Sequence, residues 1–221
     1  MVTVLMATYQ GKQYLEQQLD TILAQTVPVK ILISDDGSDD GTREMLDNYA
    51  GWYPEQVVLH HRTEHTGGAA GNFFWLMQEA LKDEKNEYIL FSDQDDVWEN
   101  NKVSVMLHRM KVLEKGLGSA CPILLYSDME VVDEELYEIS PSFASYTHQD
   151  PDRSSFAELL VENQVTGGAS MINRALLARC AKKPEICCMH DWWMALTASC
   201  FGVIEFMPRT LSKYRQHGDN V

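Results

Sequence analysis

The stretch Tyr88-Ile89-Leu90-Phe91-Ser92-Asp93-Gln94-Asp95-Asp96-Val97-Trp98 decides how this chain is read. Its first four residues are apolar or aromatic, the composition of a buried strand. Three carboxylates follow at Asp93, Asp95 and Asp96. In open parallel sheets ligands sit beyond the carboxyl ends of the strands, so a strand that runs into acids predicts a working edge. If the strand persists, Asp93 and Asp95 at i and i+2 face one centre. Two close carboxylates repel unless a proton or cation lies between them. A divalent ion held by one or two carboxylates plus phosphate oxygens is the usual magnesium arrangement. The plainer reading is a solvated acidic turn in which Asp96 caps the following helix. The apolar strand before the acids and Val97-Trp98 after them favour the cation.

Working outward, residues 2–7 form a β-branched, apolar first strand, and Gly11 breaks it. Tyr14, Leu15, Leu19, Ile22 and Leu23 recur at helical spacing, with Pro28 closing that helix. Strands at 29–33 and 56–60 and helices at 42–49, 73–81 and 103–113 complete four strand–helix alternations. This pattern predicts an α/β fold: a Rossmann-like, mostly parallel sheet with helices on both faces. The second half is less regular. Residues 123–126 and 203–206 read as strands, 156–161, 175–181 and 190–200 as helices, and 163–165 as a short strand-like piece. Without a low-complexity linker or repeat, the chain reads as one domain with two unequal halves, 1–115 and 116–221.

Three polar clusters fall at predicted strand ends: Ala7-Thr8-Tyr9, Asp35-Asp36-Gly37-Ser38 and Asp93-Gln94-Asp95-Asp96. Three strands thus deliver oxygen-rich groups to one edge. In the second cluster, Asp36, Ser38, Asp40, Gly41 and Asp47 also fit the spacing of a calcium loop. Such a loop needs a helix before it, and here a strand precedes. The better reading has a carboxylate accepting from a ribose hydroxyl or a base N–H, with Asp39 and Asp40 near the next helix start, where negative charge is favoured. Thr166-Gly167-Gly168-Ala169-Ser170 supplies small residues that let backbone approach a substrate; a plain turn would look the same. Asp191 opens a helix as either a cap or a general base. Of Trp192 and Trp193, one is expected on a sugar face and one in the core. Near the end, Arg215 suits a diphosphate and His217 a metal or phosphate.

The bulk numbers narrow the partners. There are 33 acids against 18 Lys plus Arg, a net charge of -15. Such a surface repels polyanions, so nucleic acid is not an expected partner. Five cysteines without metal-ligand spacing predict free, mostly buried thiols in a reducing compartment. No long apolar run spans a membrane, so the cytoplasm is the expected location, with a peripheral contact at the inner membrane face left open.

Taken together these residues resemble the family 2 inverting glycosyltransferases, which have the GT-A fold. The matching stretches are Val4 through Gly11, Ile33 through Thr42, Phe91 through Trp98, Val165-Thr166-Gly167-Gly168 and His190-Asp191-Trp192-Trp193. The form Ser-Asp-Gln-Asp-Asp-Val-Trp and the tail Tyr214-Arg215-Gln216-His217 are similar to the rhamnosyltransferase-like branch, which builds bacterial surface polysaccharides. The resemblance implies a nucleotide-diphosphate sugar donor (dTDP- or UDP-linked), a divalent metal (Mg2+ or Mn2+), and a glycan or lipid-linked acceptor bound by the second half. It implies that Ala7, Thr8 and Tyr9 contact the nucleotide, that Asp36 binds the base with Asp35 close by, and that Asp93 reaches the ribose side. Asp95 would hold the metal, His217 would complete the metal or diphosphate site, and Asp191 would be the catalytic base. It also implies a continuation beyond Val221. Two other readings compatible with the motifs are a nucleotide-sugar-binding domain without turnover and a sugar-phosphate nucleotidyltransferase. The latter expects a glycine-rich basic loop after the first strand, where this chain has one glycine, Gly11.

Overall fold

Val4 and Met6 face one side of the first strand and Leu5 the other, and all three are fully buried. A sheet built from such strands needs cover on both faces. The structure, a computed structural model, describes residues 1–218. In chain order the first half contains β1 (Val2–Thr8), α1 (Lys12–Leu23), β2 (Lys30–Asp35), α2 (Thr42–Trp52), β3 (Val57–His61), α3 (Ala69–Lys82), β4 (Tyr88–Ser92), β5 (Val97–Trp98) and α4 (Lys102–Leu117). The second half contains β6 (Ile123–Val132), β7 (Glu138–Ser140), α5 (Phe143–Tyr146), α6 (Phe156–Leu159), β8 (Ser170–Asn173), α7 (Arg174–Cys180), α8 (His190–Phe201) and β9 (Val203–Arg215).

The strands pair in the order β3-β2-β1-β4-β8-β6-β9-β5, with β7 added beside β6. Strands β1 to β4 are mutually parallel. Strand β8 runs antiparallel to both β4 and β6, so β6 and its parallel partner β9 point the same way as β4. Most strands therefore share one direction, and one sheet runs through both halves of the chain. Helices α1, α2 and α4 cover one face with Leu15, Leu19, Leu46, Val103 and Met106. Helices α3, α7 and α8 cover the other with Phe73, Phe74, Leu176, Met194 and Ala198. The carboxyl ends of β1, β2 and β4 come out side by side, with Thr8 opposite Asp35 and Met6 opposite Ser92.

Several sequence expectations need correction. The last strand, expected over 203–206, continues to Arg215. Its register against β6 jumps from Met207 to Thr210, which lets Pro208 sit outside the ladder it cannot donate to. The two-residue β5 was not anticipated; it pairs with β9 through Val97 and Lys213. Residues 163–165 form no strand. Asp96 does not cap α4, which starts at Lys102 after Asn101. The thiols are free, but only Cys180 is buried, while Cys188 and Cys200 are exposed.

Asn173 ties the inserted strand to its surroundings. Its Oδ1 accepts from Leu176 N (3.1 Å), capping α7, and from Ile123 N (3.0 Å) at the start of β6. Its Nδ2 donates to Cys121 O (2.9 Å) and Glu114 (3.1 Å). Asn173→Ala removes a helix cap worth ~1 kcal/mol and strands a buried amide at a cost of ~1–3 kcal/mol. We expect a total loss of roughly 2–4 kcal/mol in urea unfolding, with the slope unchanged.

Candidate active site

The site is built from loops at the shared carboxyl edge, and internal hydrogen bonds hold each of them. Asp35, fully buried at the end of β2, accepts from Thr8 Oγ1 (3.1 Å), Ser38 N (3.1 Å), Ser38 Oγ (2.5 Å) and Arg43 Nε (2.9 Å). Burial pushes its pKa up, but these bonds outweigh burial and hold the carboxyl below the ordinary range. Asp35 and Thr8 therefore brace the edge from within. Asp36 Oδ1 accepts from Thr66 N (2.7 Å) and its Oδ2 from Thr66 Oγ1 (2.9 Å), with His65 at 4.0 Å. The His65 ring lies edge-on to the exposed ring of Tyr9 at 6.0 Å. Ala7, the residue before Thr8, is half-buried in β1. The ligands a calcium loop would need diverge: Asp40 binds Thr42 and Lys12, Asp47 binds His61, and Asp36 binds Thr66.

Beyond β4 the chain bends, so Asp93 and Asp95 are not consecutive strand positions on one face. Gln94 turns back to β1, accepting from Tyr9 N (2.9 Å) and donating to Tyr9 O (2.9 Å). A side chain on Gly11 would collide with Gln94, which explains the glycine there. This clamp places the acids beside the first loop. Asp93 is raised above the ordinary carboxylate range by burial, then by the charges of Asp95 and Asp191, with Lys102 opposing. The Gly167–Gly168 turn joins it to that helix terminus, since Gly168 lies against Asp93 and the Gly167 N–H donates to Asp191. Asp96, buried, is raised for the same reasons by burial, Asp95 and Asp93.

Asp191, in the first turn of α8, is held in a hydrogen-bonded cradle. Oδ2 accepts from Gly167 N (3.0 Å), and Oδ1 from Asn163 Nδ2 (3.2 Å) and Trp192 N (2.6 Å). Burial pushes its pKa up to about 6, against the pull of these bonds. The preceding residue, His190, is buried and stacks on Phe73 with ring centroids 4.1 Å apart. Burial lowers its pKa to about 3, so it is neutral. A Cβ on Gly167 would stand 2.8 Å from His190 Nε2, and one on Gly168 would stand 3.0 Å from Asp93 Oδ2. The two glycines therefore let the turn pass between Asp191 on one side and Asp93 on the other.

The tail of β9 closes the far side. Arg215, expected on a diphosphate, is 2% exposed. Its guanidinium donates to Asp95 O (2.9 Å), Gln17 Oε1 (2.6 Å) and Glu134 O, and lies over the Tyr14 ring at 4.5 Å. His217 Nε2 lies 2.9 Å from Asp95 Oδ2. Trp192 Nε1 donates to Leu159 O (2.5 Å), while Trp193 packs against the apolar cluster around α3 and α8. Sequence reasoning missed Gln94, Thr66, Asn163 and Lys102. Gln94 was hidden between two acids, and a lysine at the start of a helix reads as a solvated charge. Lys102 is instead fully buried, its Nζ 2.7 Å from Gly168 O, 3.3 Å from Ser212 Oγ and 4.1 Å from the centre of the Trp98 ring. Burial lowers its pKa, with Asp96 and Asp93 opposing.

Among the described residues no group of three or more His, Cys, Asp or Glu is arranged to hold a metal. The partly buried Asp95–His217 pair offers one carboxylate and one imidazole nitrogen. That donor set fits a divalent ion whose remaining ligands are phosphate oxygens and water.

A mostly parallel sheet with acid-bearing loops at one carboxyl edge defines a GT-A domain of the kind that handles nucleotide sugars. The chain belongs to glycosyltransferase family 2: the profile described as Glycosyl transferase family 2 matches residues 3–180. Among curated proteins, a dTDP-rhamnosyl transferase, RfbG of Shigella flexneri, is 28% identical over 97% of this chain and 72% of its own length. A putative teichuronic acid biosynthesis glycosyltransferase, TuaG of Bacillus subtilis, is 30% identical over 78% of this chain and 66% of its own. Among solved structures, S. aureus TarS 1–349 in complex with UDP superposes with a TM-score of 0.69 at 16% identity, covering 97% of this chain and 60% of that one. The mannosyltransferase PcManGT of Pyrobaculum calidifontis, in complex with GDP-Man and Mn2+, gives 0.64 at 19% identity, covering 96% and 56%. The chain thus spans little more than half the length of these solved structures. No helix among its described residues is long and apolar enough to cross a membrane.

Because His190 is pinned by Phe73, it yields little to a new methyl group. We expect Gly167→Ala to destabilise the chain by about 1–3 kcal/mol in urea unfolding.

Proposed function

We propose that this chain transfers a sugar from a nucleoside-diphosphate donor to an acceptor hydroxyl in a single inverting displacement. The observation that carries the reading is the passage of the Gly167–Gly168 turn between the carboxylate of Asp191 and that of Asp93. A base and a donor-side acid thus lie against one glycine turn, Asp191 at Gly167 and Asp93 at Gly168. Asp191, ionised above about pH 6, takes the proton of the acceptor hydroxyl as that oxygen attacks the anomeric carbon. The bond from that carbon to the diphosphate breaks, and the nucleoside diphosphate leaves with the bonding pair. Asp36 and the Tyr9–His65 pair face the base, and Thr8 and Ala7 support the nucleotide through backbone. Asp93 serves the ribose side. Asp95 and His217 would hold a divalent ion, Mg2+ or Mn2+, which offsets negative charge on the departing diphosphate. Arg215 holds the Asp95 backbone in place. Trp192 and the exposed surface near it receive the acceptor, while Trp193 serves the core.

Likeness to RfbG supports a dTDP-sugar donor with rhamnose the first candidate, and likeness to TuaG a glycan acceptor in bacterial surface polysaccharide synthesis; a UDP-sugar donor and a lipid-linked acceptor are the other members of this reading. A lipid-linked acceptor would be met at the inner face of the membrane from the cytoplasm.

A thermal-shift screen of dTDP-, UDP- and GDP-sugars, with and without Mg2+ or Mn2+, tests the donor side, because a ligand that binds the native state raises Tm. One nucleotide class should stand out, and Asp95→Ala should weaken its metal-dependent shift. In a purified transfer assay, Asp191→Asn should lower kcat by about 10²–10⁴-fold while leaving the donor shift intact. Donor binding without turnover in the wild type, unaltered by Asp191→Asn, would mark a binding domain.

The pH dependence follows from the raised carboxyl. The base works ionised, so kcat/KM should rise with pH through about 6 and level off above it. The same shift means ionisation of Asp191 opposes folding: its protonated form is favoured in the native state, and that contribution is lost as pH rises through about 6. Asp191→Asn should therefore gain stability over the wild type at pH 8, and the gain should shrink toward pH 4.

A further inference from the structure

We propose that Lys102 is a positioning residue that fixes the Gly167–Gly168 turn and, through the Gly167 amide, the direction of the Asp191 carboxylate. A lysine without exposed surface is rare unless something specific holds it. Here the ammonium reaches across from the start of α4 to the Gly168 carbonyl at 2.7 Å and to Ser212 of β9 at 3.3 Å, with the Trp98 ring beneath it. Two peptides back, the Gly167 N–H donates to Asp191 Oδ2 at 3.0 Å. One short relay thus runs from Lys102 through three successive peptides to Asp191. Gly168 meanwhile lies against the carboxylates of Asp93 and Asp96, where a Cβ would come within 3.0 and 3.3 Å. Backbone packed so closely against two acids needs a donor behind it to stay in place, and Lys102 is that donor. Within the turn Ala169 N donates to Thr166 O (3.2 Å) and Ser170 Oγ to Gly167 O (2.7 Å), and Lys102 is the side chain that reaches the Gly168 carbonyl from a distant element.

The assignment of a consequence for catalysis rests on the sugar-transfer reading above, whereas the mechanical link does not. Both can be read in Lys102→Met, with the charge-balanced Asp96→Asn/Lys102→Met variant as the partner, because removing one member of a buried charged cluster can unfold a protein while removing both is tolerated. Amide hydrogen exchange at Gly167 is measured by NMR in each folded variant, alongside kcat and donor KM. We expect Gly167 exchange to accelerate by about tenfold or more, kcat per folded molecule to fall by about 10²-fold, and donor KM to stay within about twofold. Lys102→Arg, which retains a donor, should recover part of both changes. A merely structural lysine would lower Tm and leave kcat per folded molecule untouched. Unchanged exchange at Gly167 in a folded variant overturns the proposal, as does accelerated exchange with full kcat. A wild-type chain that turns over none of the donors, while exchange responds as expected, overturns the sugar-transfer reading and supports the mechanical link.

Discussion

Carboxyl groups crowd one end of the sheet: burial raises Asp93, Asp96 and Asp191 above their ordinary range, and the charges of neighbouring carboxylates raise Asp93 and Asp96 further. Left to themselves, such groups would spread apart or take up protons. The surrounding structure keeps them together with fixed donors. Arg215 supplies its main-chain N–H to Asp96, Gly167 supplies its own to Asp191, and His217 lies against Asp95. Lys102 sits buried beside the group, where burial lowers its pKa and the carboxylates of Asp96 and Asp93 oppose that shift.

Rigid loops make this possible. Gln94 fastens the acid loop to Tyr9 through both of its amide atoms, and Gln10 fastens the first loop to the second in the same manner through Asp39. These clamps leave a few side chains facing outward, notably Tyr9 and His65. Solved relatives at 16–19% identity share the frame.

Much of this frame was legible beforehand. The four strand–helix alternations stand out because buried parallel strands are continuous apolar runs, and three of the four end in a polar cluster that the sheet then lines up. What was hidden followed from polar residues serving internal purposes. Arg215 and Asp35 look like ligand groups in a linear reading, yet both are buried and hydrogen-bonded within the protein. Strand β9 was cut short because Pro208 and Arg209 interrupt its pattern, although a register jump absorbs them. The insertion of β8 between β4 and β6 could not be read at all, since strand order leaves no local trace. Asp93 and Asp95 lie close enough for the charge of one to act on the other, but not by the strand geometry expected of them, which the bend after Ser92 does not obey.

Strand β9 follows all the other described strands in chain order, yet it lies beside β6 and β5 and carries Arg215 to the back of the Asp95 loop. Parallel pairing across so long a separation is slow to form, because chain entropy must be lost before any contact rewards it. A ribosome-bound chain can therefore shape its first four strands while the acid loop still has no backing. The acid loop gains that backing in one late step, when β9 docks.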